Sequence, residues 1–298
     1  MGELISTAIT TYKREPAIVV RAINSILKQT YRDIEVIVVD DSPSDYELRE
    51  AVKNAVLGLN AEYPDIEISY IPHEKNMGAC VARNTAMDAA GGKYIAFLDD
   101  DDEWIPEKLE KQLRVMESSD AALVYCGCTI LNDDTGRYYD GYVEYYRGRV
   151  FERLLFKNFI DSTSIPLIRL DCLKEIGGFD PLMQSSQDYD VWLRIARKYP
   201  VDCVQEPLVI YHEHSGERIT NNPSKKIAGL ERINSKNKEY IDADPVLWRQ
   251  RHISITPYYA MKGDKQKALK VWRECCRKRP QEVVDNLKYL RRILFPAK

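Results

Sequence analysis

The 298-residue chain reads as an α/β protein, with a mostly parallel central sheet flanked by helices and a helical extension at its C-terminal end. Three observations lead there. Four short apolar runs, at residues 4–10, 35–39, 66–71 and 93–98, alternate with segments of helical period. The second run contains Val36-Ile-Val-Val39, an uninterrupted β-branched stretch of the kind found in strands covered on both faces. From residue 225 the strand signal stops, and helical spacing continues to the end with a break at Gly263-Asp264. Strands alternating with helices at this spacing imply crossover connections and a parallel sheet.

Taken in order, residues 4–10 form the first buried strand. Pro16 suits a helix start, and Ile18, Val19, Ala22, Ile23, Ile26 and Leu27 then recur at helical spacing through Gln29. Residues 35–39 end in the turn Asp40-Asp41-Ser42-Pro43. A helical segment to about residue 60 precedes the third strand, residues 66–71. A polar loop with Asn76 and Gly78 leads into a helix over 79–90, closed by Gly91-Gly92 before the strand at 93–98. After Pro106 come an amphipathic helix to residue 118 and a strand over 121–128. Residues 129–165, rich in Tyr, Gly and Asp, are weakly periodic, as long specificity loops often are. Strong patterning returns at Ile176-Gly-Gly-Phe-Asp180, in a helix over 188–198 and in a strand over 207–211. The expected division is a domain over 1–224, with halves meeting near residue 128, and a helical extension over 225–298.

Composition narrows the function classes. With 44 % hydrophobic and 30 % charged residues the chain is ordinary for a soluble globular protein. No apolar stretch nears the roughly 20 residues that span a bilayer, and residues 1–30 lack a signal-peptide layout. The seven cysteines are scattered in apolar surroundings, and Cys126-Gly-Cys128 lacks the two-residue gap of zinc and thioredoxin motifs. They read as reduced core thiols in a cytoplasmic protein. The net charge of −3 is unevenly placed: residues 262–298 hold 12 Lys/Arg against 4 Asp/Glu, or +8, which leaves −11 elsewhere. A basic tail on an acidic body suits phospholipid headgroups or a phosphorylated acceptor, and no nucleic acid is expected. Leu287, Tyr289, Leu290, Ile293, Leu294 and Phe295, with Lys288, Arg291 and Arg292, suggest a basic amphipathic helix. Packing of its apolar face on the 1–224 domain is favoured over peripheral contact with the inner face of the cell membrane. Dehydrogenase and P-loop readings fail, because neither glycine fingerprint is present.

The strongest chemical signal is Phe97-Leu98-Asp99-Asp100-Asp101-Asp102-Glu103-Trp104, an apolar run that ends in five consecutive acids. Adjacent carboxylates repel and each costs energy to desolvate, which a divalent cation would relieve. The plainer reading is a solvated acidic loop capping the helix after Pro106. Two acidic turns, at Asp40-Asp41 and at Asp99–Asp102, fall at carboxyl ends of strands, the edge where open parallel sheets bind ligands. Together they suggest a nucleotide-and-metal site.

Six motifs occur in an order similar to that of the inverting glycosyltransferases of family 2, which have the GT-A (nucleotide-diphospho-sugar transferase) fold. They are Thr10-Thr-Tyr12-Lys-Arg14, Val38-Val-Asp40-Asp41, Asn76-x-Gly78 with Ala82-Arg83-Asn84, Phe97-Leu-Asp-Asp-Asp-Asp102, Gly177-Gly-Phe-Asp180 and Gln187-Asp-Tyr-Asp-Val-Trp-Leu-Arg194. The resemblance spans roughly residues 3–215. It implies transfer of a sugar from a nucleoside diphosphate, most simply UDP, to a hydroxyl of a glycan or lipid-linked acceptor in polysaccharide biosynthesis. It also implies Mn2+ or Mg2+, a nucleotide-binding half over about 1–128 and an acceptor half over about 129–224.

Residue by residue, the resemblance places Thr10, Thr11, Tyr12 and Arg14 at the donor, with the Tyr12 ring packed on the base and Thr10 hydrogen-bonded to its edge. It gives Asp41 the hydrogen bond from the uracil ring, with Asp40 open between turn and ligand roles. Asn76, Gly78 and Arg83 join the donor site, Arg83 pairing with diphosphate oxygens unless it forms a helix-surface salt bridge. Asp99 and Asp100 go to the donor, Asp100 at the ribose or sugar, and Asp101 to the metal, in a register open by one residue. His214 completes the metal shell, and Asp188 is the general base, preceded by Gln187 where the family has Glu. Helix capping is the reading for Asp190. The alternatives are a catalytically silent sugar-nucleotide-binding protein and a nucleotidyltransferase, although residues 10–14 lack the glycine-rich loop a nucleotidyltransferase needs.

Overall fold

Strand β1 (Ile5–Thr11) is the centre of the first half of the sheet, because both neighbours pair with it in parallel: β2 (Ile34–Asp40) on one side and β4 (Tyr94–Asp99) on the other. Strand β3 (Ile68–Pro72) adds to β2, also in parallel. The register sets Thr11 beside Asp40 and Thr10 beside Asp99, so the threonines and both acidic turns share one strand edge. This computed structural model describes residues 2–141, 144–213 and 222–296.

The crossovers are α1 (Pro16–Leu27), α2 (Arg49–Gly58) and α3 (Ala79–Ala89), each built on an apolar stripe that it buries. Helix α1 buries Val19, Ala22, Ile23, Ile26 and Leu27, the spacing read from the sequence. Gly92 lies in the bend just before β4, where a Cβ would lie 2.6 Å from the Leu4 carbonyl oxygen and 2.8 Å from the Ser6 nitrogen.

The second half of the sheet mixes directions. Strand β5 (Glu103–Trp104) precedes α4 (Lys108–Glu117) and β6 (Leu123–Asn132), and β7 (Arg137–Asp140) folds back on β6. Helix α5 (Phe151–Phe156), β8 (Leu167–Arg169), α6 (Leu170–Glu175), α7 (Gln187–Lys198) and β9 (Val201–Glu213) follow. The sheet order is β3-β2-β1-β4-β8-β6-β9-β5. Strand β8 runs antiparallel to β4 and β6, and β9 runs parallel to β6. Parallel pairing therefore holds for β1 to β4, and the rest is mixed. The stretch 129–165, expected to be irregular, carries the end of β6, β7 and α5.

Two compact units divide the chain. The first comprises Met1–Leu154, Asn158–Pro181 and Val191–Ser215, and the second Leu155–Lys157, Leu182–Asp190 and Gly216–Lys298. The second unit carries α8 (Pro223–Lys236), α9 (Lys238–Ala243), α10 (Pro245–Ile253), α11 (Thr256–Met261), α12 (Lys265–Lys278) and α13 (Val283–Leu294). Ile227, Ile255, Tyr259, Ala260, Ala268 and Ile293 form its core. Gly263, at φ +95°, makes the turn between α11 and α12, a conformation a side chain would resist. Helix α13 thus buries Ile293 in this unit's own core, a correction to the packing on the catalytic domain expected for that face. All seven cysteines are free thiols and six are buried. Among the described residues, no helix is long and apolar enough to cross a membrane.

Candidate functional site

The turn after β4 sorts its four aspartates by alternation. Asp99 and Asp101 keep 31 % and 28 % of their side-chain surface, whereas Asp100 and Asp102 are buried. Asp102 accepts bonds from the Ser164 hydroxyl (2.5 Å) and the His212 backbone N–H (3.3 Å). Burial, reinforced by the Asp99 charge, pushes its carboxyl well above the usual carboxylate range. Asp100 accepts from Arg14 Nε at 2.9 Å; burial raises its carboxyl to about 6, against the opposing pull of that guanidinium. Asp101 accepts from Arg14 Nη2 at 2.5 Å, and its backbone carbonyl accepts from Arg21 at 2.8 Å. Asp99 takes Arg83 Nη2 and the Thr163 hydroxyl, each at 2.9 Å. The acidic stack is therefore relieved by two arginines and by hydroxyls of the 162–164 segment, a solution the sequence reading did not contain.

A divalent ion fits this donor set in one way. Among the described residues no three His, Cys, Asp or Glu side chains converge as a ready-made cage. Asp101, however, presents a partly exposed carboxylate at a strand end. Magnesium is commonly held by one or two carboxylates, with water and substrate phosphates completing the shell. Any such cation competes with Arg14 for Asp101. His214 lies outside the described residues.

At the end of β2 the two aspartates have separate jobs. Asp40 closes the turn, accepting from the Ser42 N–H (2.8 Å) and the Tyr70 hydroxyl (2.5 Å). Asp41 is buried too, and accepts from the backbone N–H groups of Met77 (2.7 Å) and Gly78 (2.8 Å). His73 Nδ1 sits 2.7 Å from the same carboxylate, and its other nitrogen lies 3.0 Å from the Thr85 hydroxyl. A carboxylate has about four lone-pair positions, so three protein partners leave Asp41 one for a ligand. Gly78, at φ +91°, lets the loop present both N–H groups and then begin α3. His73 was not foreseen; a lone histidine after a strand carries no pattern to find it by.

The remaining donor-site candidates gather on the same edge of the first unit. Thr11 is buried, with its carbonyl accepting from the Asp41 N–H at 2.9 Å. Thr10 is half-buried beside Asp99, and the Tyr12 ring is 45 % exposed. Asn76 is exposed on the loop before Gly78. Arg83 reaches from α3 to the end of β4 and lies 5.5 Å from the Phe179 ring, so it is an inter-element pair and not a helix-surface bridge.

Two further motifs brace this edge. The Asn84 side chain exchanges two 2.8 Å bonds with the backbone of Phe179. Arg194 donates to the carbonyls of Ile176 (2.7 Å) and Gly178 (2.6 Å). Gly177 and Gly178, at φ +81° and +63°, end α6 in the left-handed region and turn the chain to reach these partners. His212 is buried and bridges Asp133 (2.7 Å) and Glu103 (3.0 Å).

Asp188 is carried by the second unit, half-buried in the first turn of α7, where its Oδ1 accepts from the Tyr189 N–H at 2.7 Å. Gln187 donates to the Met183 carbonyl at 3.2 Å. Asp190, expected as a cap and lying in the first turn of α7, is buried and ion-paired to Lys236 at 2.7 Å.

Residues 6–177, more than half of the chain, match glycosyl transferase family 2. The chain belongs to that family. It is a glycosyltransferase with the GT-A fold expected from its motifs, which removes the nucleotidyltransferase alternative. Among its relatives, the putative colanic acid biosynthesis glycosyl transferase WcaA of Escherichia coli is 32 % identical over 245 residues, covering 80 % of this chain and 83 % of the relative. The E. coli UDP-Glc:alpha-D-GlcNAc-diphosphoundecaprenol beta-1,3-glucosyltransferase WfgD is 38 % identical over 132 residues, 44 % of this chain and 48 % of WfgD. In fold, the chain is similar to the crystal structure of Staphylococcus aureus TarS residues 1–349 in complex with UDP-GlcNAc. The TM-score is 0.61 at 15 % identity, over 93 % of this chain and 92 % of that one.

Proposed function

We propose that this glycosyltransferase moves a sugar from a UDP donor, with inversion, to a hydroxyl of a glycan or lipid-linked acceptor in polysaccharide biosynthesis. The observation that carries this reading is the shared strand edge, where Thr10 and Thr11 lie in register with Asp99 and Asp40 and the accessible acids are Asp99 and Asp101. The donor named for WfgD, the ligand bound to TarS and the colanic acid role named for WcaA support it.

Each residue then has a task. The exposed Tyr12 ring packs on the base, and Asp41, held by the 77–78 backbone and His73, accepts from the base edge with its remaining lone pair. Asn76 and Gly78 shape that loop. Arg14 and Arg83, already at the acidic turn, exchange carboxylate partners for diphosphate oxygens. Asp99 holds a hydroxyl of ribose or sugar, and Asp100, buried beneath Arg14, reaches one once that arginine turns to the diphosphate. Asp101, with His214 as the family resemblance implies, would hold Mn2+ or Mg2+, which would neutralise charge on the departing diphosphate. Asp188 takes the proton of the acceptor hydroxyl as its oxygen bonds to the anomeric carbon. The bond from that carbon to the diphosphate oxygen breaks, and the electron pair leaves with the nucleoside diphosphate. Single displacement needs no second, nucleophilic carboxylate. A cytoplasmic location goes with this reading.

Calorimetry with UDP tests it. Binding is expected in Mn2+ or Mg2+ and lost in excess chelator. Equal affinity with and without the ion would remove Asp101 from metal binding, and no UDP binding in either condition would remove the donor assignment.

A further inference from the structure

The second unit contains an exposed apolar surface to which the proposed transfer chemistry gives no task. Helix α13 buries Ile293 and Asn286 on its inner side. Its outer side stays open: Val284 is 84 % exposed, and Val283, Leu287, Leu294 and Phe295 (76 %) are exposed with it. At 100° per residue, the four of these that lie within α13 fall within one third of the helix circumference, and Phe295 follows directly at its C-terminal end, so they form a stripe and not a scatter. Isolated apolar residues on a surface are ordinary, but a contiguous stripe marks a contact.

The charge around the stripe says what kind of contact. Arg291 lies within it, and exposed Lys288 and Arg292 continue along one border. The two acids of this segment are occupied elsewhere: Asp285 pairs with Arg249 at 3.0 Å and Glu282 with Arg279 at 3.2 Å. The outer face is thus apolar and cationic, with its neighbouring acids neutralised from within the unit. Residues 262–298 carry +8 against −11 for the remainder, so an anionic surface attracts this end of the chain and repels the rest.

We propose that the outer face of α13 docks on an anionic lipid bilayer, with Val284, Leu287 and Phe295 entering the headgroup boundary and Lys288, Arg291 and Arg292 facing the lipid phosphates. A helix with one packed face and one apolar, basic face lies in the plane of an interface. Basic side chains near such a surface add attraction that fades within a Debye length. The inference goes beyond the glycosyl-transfer reading and does not depend on it.

Vesicle flotation of the full chain tests it, with phosphatidylcholine vesicles set against phosphatidylcholine–phosphatidylglycerol vesicles. The expected result is at least about tenfold stronger partition onto the anionic vesicles, weakening as salt rises. The triple change Lys288→Gln, Arg291→Gln and Arg292→Gln should reduce binding to the neutral-vesicle level. Val284→Ser with Leu287→Ser and Phe295→Ser should reduce it about tenfold at low salt. These side chains are exposed, and circular dichroism checks the fold; Val284→Ser alone repeats the test with the smallest perturbation. Affinity for UDP is measured in parallel and should not change, so failure of the donor assignment would appear there and nowhere else. Equal binding to both vesicle types, or variants that bind like the parent, would overturn the proposal. So would a dimer in sedimentation velocity that the apolar variant dissolves, with no vesicle binding by the parent, since a second copy would then cover the face.

Discussion

Four adjacent aspartates become four different groups. Asp99 and Asp101 stay partly exposed, while Asp100 and Asp102 are buried under an arginine and a serine. This sorting leaves Asp99 and Asp101 as the open acids of the turn, and a cation at Asp101 would compete with Arg14. Asp188→Asn keeps the size of the side chain and removes its basicity. The variant should bind UDP like the parent and lose transfer by about two or more orders of magnitude, the scale of general-base loss. Full transfer by the variant, measured as release of UDP with acceptor present, would move the base elsewhere.

Lys108 is a second residue-scale case, outside the donor edge. It is fully buried, donates to Gln112 at 2.8 Å and lies 4.1 Å from the Trp104 ring centre. Burial lowers its pKa to about 8, against a smaller opposing effect of the nearby Cys126 thiol. Below pH 8 the lysine is charged in folded and unfolded chains alike, and the burial cost is felt in full. Between about 8 and the ordinary lysine value near 10.4, only the unfolded chain holds the proton, so rising pH favours the fold. Relative to Lys108→Met, the parent should gain stability by up to about 3 kcal/mol across that window. Urea unfolding at several pH values measures the gap. A gap independent of pH would mean that the lysine titrates alike in both states.

At the scale of elements, chain breaks were legible and extents were not. Pro16 opens α1, and Gly78 sets the start of α3, as read from the sequence. Strand β9 begins at Val201, six residues before the strand reading at Pro207, because a proline within an apolar run argues against a continuous strand. In the fold Pro207 pairs opposite Gly127 where the β6–β9 register shifts on both sides, a bulge that tolerates a missing N–H. Strand β6 likewise runs to Asn132 because β9 continues beside it, a condition no local pattern encodes. Gly92 can be tested directly. A Cβ there would press on backbone atoms of Leu4 and Ser6, which cannot rotate away. Gly92→Ala should destabilise the first unit by about 1–3 kcal/mol, the usual cost of overpacking. An unchanged urea midpoint would show that β1 yields at that point.

For the whole molecule, charge and hydropathy did most of the reading. The excess of +8 near the C-terminus and the absence of a bilayer-length apolar run were visible at once. Which α13 side chains remain outside was not, since periodicity identifies a stripe but not the surface that covers it. Helix α13 divides its apolar residues between the core of its own unit and solvent, and that division makes a lipid contact testable.

The sequence by itself determined the family, the parallel strands β1 to β4 and the placement of both acidic turns at strand ends. Those features are local: a β-branched run, a glycine and an acid at fixed offsets along one stretch of chain. Only the tertiary structure decided that Arg14 guards Asp100 and Asp101, 86 and 87 positions away, that His73 and the 77–78 backbone hold Asp41, and that His212 is buried between Asp133 and Glu103. Exposure, partner and proton affinity belong to the environment of a side chain, and that environment is assembled from residues distant in sequence.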